Sequence, residues 1–379
     1  MDKAKQYDTC IIGGGLAGLA LSIQLAKLGY AVALFEKETY PFHKVCGEYI
    51  SLESWNFIEE LGYPLSGAGL PIIKNLLVSA PNGNLLQQSL PLGGFGISRY
   101  KLDSGLKEIA ALNNVQVFEN CKVNTVDFNN ELFQLQTTAG QFSCRICCGS
   151  FGKRSNLDVK WSRRFINRKP NKLDNFIAVK YHININHPHD TIALHNFKDG
   201  YCGISKIEDD KYCLCYLTNA QNLKNCNNSI QQMEKEILYK NPHLKNIFTN
   251  CQVLYQSPVT ISQISFNKKT QVENHVLLIG DAAGMITPLC GNGMSMALHS
   301  SKLAALQVAD FLTNKISRQQ LEENYTKAWK NIFASRLRYG RRIQSLFGKT
   351  WATNLFVAVL KKLPFVTKIL IRQTHGDPF

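Results

Sequence analysis

Apolar and polar positions follow three different rhythms along the chain, and each rhythm predicts a different kind of element. Residues 8–12 read Asp-Thr-Cys-Ile-Ile, a short apolar run of strand length. Gly13, Gly14, Gly15, Leu16, Ala17 and Gly18 follow. Leu19, Leu21, Ile23, Leu25 and Leu28 then recur through a helical segment that stops at Gly29. A second apolar run at 31–35 predicts a second strand, with Glu36 at its end. Residues 276–279, Val-Leu-Leu-Ile, repeat the opening theme and lead into Gly280 and Asp281. Between these blocks, segments 75–80, 176–184, 211–217 and 252–261 alternate with period two and predict half-buried strands of an antiparallel sheet. From Leu321 the rhythm changes again. Tyr325, Trp329, Phe333 and Leu337 recur every four residues, one stripe of a core-facing helix. The last apolar stretch, 355–371, is interrupted by Lys361, Lys362 and Pro364, which leaves it too short to span a bilayer.

The first block carries chemistry as well as structure. Gly13 makes the tight turn, Gly15 lets backbone approach a pyrophosphate, and Gly18 lets the helix pack closely on the strand. Leu16 and Ala17 open the helix, whose free N–H groups and positive dipole end face the phosphates. Glu36, with Lys37 beside it, stands where an acid accepts hydrogen bonds from a ribose hydroxyl. Strand, glycines, helix, strand and acid stand in the order that a dinucleotide site requires. NAD and FAD both satisfy it.

The second block narrows the choice. Gly280-Asp281-Ala282-Ala283-Gly284 is followed by Pro288, then by Gly291-Asn292-Gly293 and a further apolar helix. With this block the chain resembles the p-hydroxybenzoate hydroxylase-like superfamily of FAD enzymes, and within it the geranylgeranyl reductase-related branch. The resemblance covers roughly residues 7 to 315. It implies that Asp281 binds the ribityl chain and that Pro288, Gly291 and Gly293 lie against the flavin ring. Two further blocks match. Arg99, Asp103 and Leu106 correspond to an Arg-x-x-x-Asp-x-x-Leu helix whose arginine lies near the cofactor. Residues 41–51, Pro-Phe-His-Lys-Val-Cys-Gly-Glu-Tyr-Ile-Ser, resemble a Lys-x-Cys-Gly segment that passes close to the flavin, which brings in Lys44, Cys46 and Gly47.

The implied fold is α/β: a Rossmann-like FAD-binding domain, an antiparallel-sheet substrate domain and a helical C-terminal tail. The expected FAD domain is discontinuous, 1–70, 98–160 and 270–315. Residues 71–97 and 161–269 form the substrate domain, and 316–379 the basic tail. There are departures from the family pattern. Residues 148–155 read Cys-Gly-Ser-Phe-Gly-Lys-Arg-Ser, without the Asp-Gly pair that many relatives carry. The segment 200–205, Gly-Tyr-Cys-Gly-Ile-Ser, lacks the Trp and Pro of the reductases' aromatic substrate motif, so prenyl-chain specificity does not carry over.

Composition refines this picture at two points. The formal charge is +15, and from Lys315 onward thirteen Lys and Arg face three Asp and Glu, so the tail supplies +10 of it. Such a tail suits an anionic lipid surface or a phosphorylated substrate, or simply a solvated face. The sequence favours a cytoplasmic chain with peripheral membrane contact through that tail, and no nucleic-acid partner. The twelve cysteines sit in a long chain that opens Met-Asp-Lys-Ala-Lys-Gln without an apolar leader, which favours reduced thiols over a disulfide scaffold. Cys144, Cys147 and Cys148 read as strand residues without a second ligand pair at zinc spacing, so no metal site is expected. Cys46 is the one candidate for direct chemistry. It has no partner five residues on, where Ser51 stands. Nothing singles out His182, His187, His189 or His195 as a general acid.

Three functions follow from this reading. The first is reduction of an alkene in a lipophilic substrate, with NADH, NADPH or another external donor reducing the FAD. The second is a flavin monooxygenase acting on an aromatic or polyketide. The third is a non-catalytic prenyl-binding protein on the same scaffold. The Cys-Gly segment tilts the choice to the first. A halogenase is disfavoured because Trp55, Trp161, Trp329 and Trp351 form no Trp-x-Trp signature.

Overall fold

A computed structural model describes residues 5–167, 174–286, 291–346, 349–374 and 376–379. Two sheets organise it. In the first, Lys5–Ile12 lies between Val32–Phe35 and Gly140–Gly149, and all three run parallel. Gln116–Phe118 extends one side in parallel, and Val276–Leu278 the other. The helix Leu16–Lys27 is the first crossover. It buries nine of its twelve residues, because it is sandwiched against the helices Arg99–Leu112 and Gly293–Leu312. A helix covered on several sides needs apolar residues nearly all round, which explains its Leu- and Ala-rich sequence. Cys10, Cys144, Cys147 and Cys148 lie side by side in the two central strands, fully buried. They behave as small hydrophobes, and all eleven described cysteines are free.

The second sheet crosses the chain's midsection. Phe176–Asn184, Tyr212–Asn219, Gly200–Lys206 and Thr191–Phe197 are antiparallel neighbours in that order. Ile72–Ser79 then joins Thr191–Phe197 in parallel, so the sheet is mixed where alternation alone predicts an antiparallel one. Leu85–Gly96 and Tyr49–Ser51 complete that edge. The expected strand at 252–261 splits into Gln252–Val253 and Val259–Ile264. Pro258 stands between them, and it has no N–H to donate to a ladder.

The C-terminal helices follow the stripe read from the sequence. Arg318–Leu346 is one long helix, and Tyr325, Trp329, Phe333 and Leu337 are buried in the core of the first domain. The Tyr325 hydroxyl donates to the Leu278 carbonyl at 2.7 Å, which satisfies a polar group at the end of the last parallel strand. Lys361, Lys362 and Pro364 mark the junction of two shorter helices, Thr350–Lys362 and Pro364–Thr374.

His195 illustrates how the second sheet handles buried polarity. Its Nδ1 lies 2.9 Å from Ser79 Oγ, and Asn241 donates to that same oxygen at 2.7 Å. Burial, with His243 and His187 adding to it, pulls the imidazole pKa from 6.5 down to about 3. Between those two values the unfolded chain binds a proton that the folded chain refuses, so stability falls as the pH drops below 6.5. Urea midpoints should therefore decline steadily from neutral pH toward pH 4, and His195→Gln should flatten that decline. An unchanged slope in the variant would remove His195 from the acid sensitivity.

Candidate active site

The site starts at the glycine turn. Gly15 caps the helix Leu16–Lys27, and a Cβ placed on it would meet nothing nearer than Arg99 Nη2 at 3.5 Å and Lys44 Nζ at 3.8 Å. The turn therefore presents open space, a helix N-terminus and two cations. Gly18 is tight for a different reason. A Cβ there would collide with the Gly13 carbonyl and the Ser150 hydroxyl. Ser150, in the segment that lacks the family's Asp-Gly pair, donates its hydroxyl to that same Gly13 carbonyl. The departure from the family pattern thus has a local role: it ties the end of Gly140–Gly149 to the turn.

Each cation is held by a carboxylate. Arg99 Nε and Nη2 reach the two oxygens of Asp103 at 2.7 Å each, one helical turn on. Lys44 Nζ reaches Asp103 at 3.1 Å. Burial opposes ionisation of Asp103, but the Arg99 guanidinium and the Lys44 ammonium outweigh it and hold its carboxyl below the usual range. Glu36 has a structural position. Its Oε2 accepts the Gly14 N–H at 2.9 Å and its Oε1 the Glu38 N–H at 3.1 Å, so the acid braces the turn. Lys37 points away and pairs with Glu38 at an exposed position.

Asp281 comes from the other end of the domain. It sits on a short turn of helix, Gly280–Ala282, after Val276–Leu278. Three consecutive carbonyls of this turn are each fixed by a side chain. Lys269 Nζ donates to Asp281 O at 2.9 Å, Arg163 Nη1 to Ala282 O at 3.1 Å, and Gln271 Nε2 to Ala283 O at 3.0 Å. Arg163 is itself buried against Asp158 at 2.6 Å. Burial lowers the Lys269 pKa to about 8, against the pull of Asp158 and Asp281. Lys269 and Gln271 each reach twelve residues along the chain, and Arg163 reaches across 119.

These parts share one cavity of about 1300 Å³, counted with its open mouth. Gly15, Leu16, Ala17, Arg99, Gly280 and Asp281 are among the residues that line it. Cys46, Gly47, Gly291 and Gly293 lie along it, and Ala178, Ile192, Leu194, Leu217, Ile264 and Met285 form an apolar wall. Gly13, Gly18 and Asn292 shape the site without lining it, and Asn292 is buried beside Glu53. Pro288 lies outside the described residues. Cys46 lines the cavity. Cys215 of the second sheet also faces it, and burial raises its thiol pKa to about 12. Only the tertiary fold brings Cys215 there.

Behind the Cys46–Gly47 segment lies a charged cluster that the sequence did not reveal. Glu48 is fully buried, and its backbone is left-handed, φ 54°. Its carboxylate accepts from Lys180 Nζ, from His182 Nε2 at 2.6 Å and from the Arg99 backbone N–H at 2.9 Å. Burial alone would raise the Glu48 pKa; Lys180 and His182 reverse that and hold it below the carboxylate range. Glu48, His182 and Cys213 place metal-binding atom types within 4.8 Å of one another. Because Lys180 already neutralises the carboxylate, the trio is explained as an ion-pair cluster. Glu48 lines the main cavity, and His182 lines a second, open cleft with His43, Tyr100 and Tyr255.

The residues at the turn fit a dinucleotide. The Gly15 cradle has room for backbone-to-pyrophosphate approach, two cations face it, and Asp281 lines the same cavity. Arg99, Lys44 and the helix N-terminus would hold the phosphates, and Asp281 the ribityl hydroxyls.

Two outcomes test this assignment. Gly15→Val should leave the fold intact and sharply reduce FAD content, because its side chain enters the space that the pyrophosphate needs. Gly18→Val should instead destabilise the apoprotein, which thermal melts would separate from cofactor loss. Asp281→Ala removes a charge-assisted hydrogen bond of about 1.5–3 kcal/mol, so FAD affinity should fall by roughly ten- to a hundredfold. Equilibrium dialysis against FAD would measure it, and unchanged affinity would displace Asp281 from the ribityl role.

Comparison with known proteins agrees with this geometry. Residues 11–45 match the NAD(P)-binding Rossmann-like domain family. The chain is 22% identical over 359 residues to conditioned medium factor receptor 1 of Dictyostelium discoideum, covering 88% of this chain and 69% of that protein. It is 21% identical to tryptophan 2-halogenase of Chondromyces crocatus, of whose length it spans 65%. It is 22% identical to digeranylgeranylglycerophospholipid reductase of Methanosarcina acetivorans, over 86% of this chain and 80% of that one. Among solved structures, the flavin-dependent brominase Bmp2 superposes with TM-score 0.78 at 20% identity, covering 98% of this chain and 93% of that one. A geranylgeranyl bacteriochlorophyll reductase-like protein from Thermoplasma acidophilum gives TM-score 0.78 at 18% identity, covering 100% and 97%. In its fold and its nucleotide-binding segment, this chain is similar to a group of solved structures that includes a flavin-dependent brominase and a geranylgeranyl bacteriochlorophyll reductase-like protein.

Proposed function

We propose that the protein reduces a carbon–carbon double bond of a lipophilic small molecule. The observation that carries this reading is the set of apolar side chains Ile192, Leu194, Leu217, Ile264 and Met285, which line the same cavity as the Cys46–Gly47 segment. A wall of aliphatic side chains favours a hydrocarbon. FAD, when bound and reduced, supplies a hydride to one alkene carbon. The second carbon then needs a proton, for which the half-buried Cys46 thiol, one of the residues that line the cavity, is the candidate donor. NADH, NADPH or another donor restores the reduced flavin.

A second reading has its own support. The brominase and the reductase-like protein superpose equally well, so the shared scaffold is compatible with oxygen chemistry on an aromatic substrate. The missing Trp-x-Trp signature weighs against halogenation.

Product mass separates the readings. The holoprotein would be reduced under anaerobic conditions, given a geranylgeranyl-bearing lipid, and the product weighed. Gain of two hydrogens supports the alkene reductase. The same incubation in air with an aromatic substrate would reveal a gained oxygen, or a bromine if bromide is present. Either of those, with the lipid unchanged in the anaerobic arm, would replace the reductase reading with the second one.

A further inference from the structure

The C-terminal helix pair has two apolar faces, and only one of them is buried. Thr353, Val357 and Leu360 of Thr350–Lys362 point inward, as do Thr367 and Ile371 of Pro364–Thr374. Trp351, Leu355 and Val359 lie on the opposite side of the first helix, spaced four residues apart. Leu363, Phe365, Val366 and Ile369 continue the exposed apolar surface across the turn and along the second helix. Trp351 is 69% exposed and Phe365 74%. Seven of the fourteen exposed large hydrophobic side chains among the described residues fall within this short stretch. Surface hydrophobes that are merely incidental are scattered singly; these are concentrated on one helix pair.

The charge around that face has one sign. Residues 349–376 contain Lys349, Lys361, Lys362, Lys368 and Arg372, and no Asp or Glu. The four lysines are exposed. Apolar and aromatic side chains interspersed with cations on an amphipathic helix match the boundary between lipid headgroups and acyl chains. Neither helix is long enough to cross a membrane, and no candidate span is found among the described residues. The pair is built to lie on a surface.

We propose that this exposed face docks the protein onto an anionic lipid surface. The buried face of the same helices adds a consequence. Val357 and Leu360 pack in one apolar cluster with Leu194, Tyr201, Leu217 and Met285, which line the cavity. The helix pair therefore stands between the lipid surface and the cavity wall, where a lipophilic substrate passes the shortest distance through water. The docking surface itself does not depend on the reaction assigned above.

The test uses the FAD-loaded protein and floats it with vesicles of phosphatidylcholine alone or mixed with phosphatidylglycerol, at low and at physiological salt. Binding should need phosphatidylglycerol and fade with salt. Lys361→Ala with Lys362→Ala should weaken partitioning by roughly thirtyfold. Trp351→Glu with Phe365→Glu should abolish it. All four side chains are exposed, so FAD content and circular dichroism should stay unchanged and report an intact fold. The lipid-induced blue shift in tryptophan fluorescence should vanish in Trp351→Phe. No binding of the wild-type holoprotein to phosphatidylglycerol vesicles at low salt overturns the proposal. Equal binding to neutral vesicles, insensitive to the lysine changes, overturns its anionic character. A lipid-free dimer that Phe365→Glu converts to monomer shows instead that a second copy covers this face.

Discussion

The site depends on one buried carboxylate. Glu48 receives Lys180 and His182 from the second sheet and the first backbone N–H of the helix that carries Arg99. It therefore ties the cavity-lining Cys46–Gly47 segment to two elements that belong to different layers. A lone carboxylate in that position would be neutral or expelled, because desolvation of a charge costs several kcal/mol or more. Three donors compensate for it, and they also hold a non-glycine residue in the left-handed region. Removing Lys180 would leave an uncompensated carboxylate beside the cavity. The cluster serves geometry first: it sets the distance between the glycine turn and the sheet that walls the substrate space.

Around that anchor, the nucleotide site is assembled by compensation at a distance. Arg99 and Lys44 face the open Gly15 turn because Asp103 holds both. Asp281 is presented by a turn whose carbonyls are capped by Lys269, Arg163 and Gln271. In each case a group expected to touch the cofactor is oriented by side chains that do not reach it. Preorganised charges of this kind need not reorient when an anionic ligand arrives, which is the usual source of their strength. Glu36 shows the converse. Its two oxygens accept the Gly14 and Glu38 backbone N–H groups, so the acid itself holds the turn.

The fold alone does not choose the reaction. Reductases and halogenases share it, and sites on one scaffold diverge through their linings. The lining here comes from the second sheet, where alternate residues face the cavity. Ile192 and Leu194 of one strand face it, and His195 turns to the other side. A one-residue slip of that strand would place the imidazole in the cavity and the leucine behind it. The parallel pairing of Thr191–Phe197 with Ile72–Ser79 pins the register, and Ser79 meets His195 within it. The chemical character of the substrate space thus rests on a strand register.

What could be read from the sequence was local. The glycine turn, the crossover helix, the Asp281 turn and the Tyr325–Leu337 stripe all lie within short windows whose spacing matches a strand or helix period. Their elements formed where the pattern placed them, and Gly15, Arg99, Cys46 and Asp281 converge on one cavity. The Glu48 cluster could not be read this way, since Lys180 and His182 lie more than 130 residues beyond Glu48. Nor could the clamp on the Asp281 turn, where Arg163 acts across 119 residues. Single-sequence patterns record which face of an element is apolar; they do not record which distant element covers it. For the same reason the apolar segment from Leu355 was ambiguous in sequence, since both of its faces are apolar. Only the tertiary structure decided which face meets the core and which remains open to a partner, because burial is a property of neighbours and not of the segment itself.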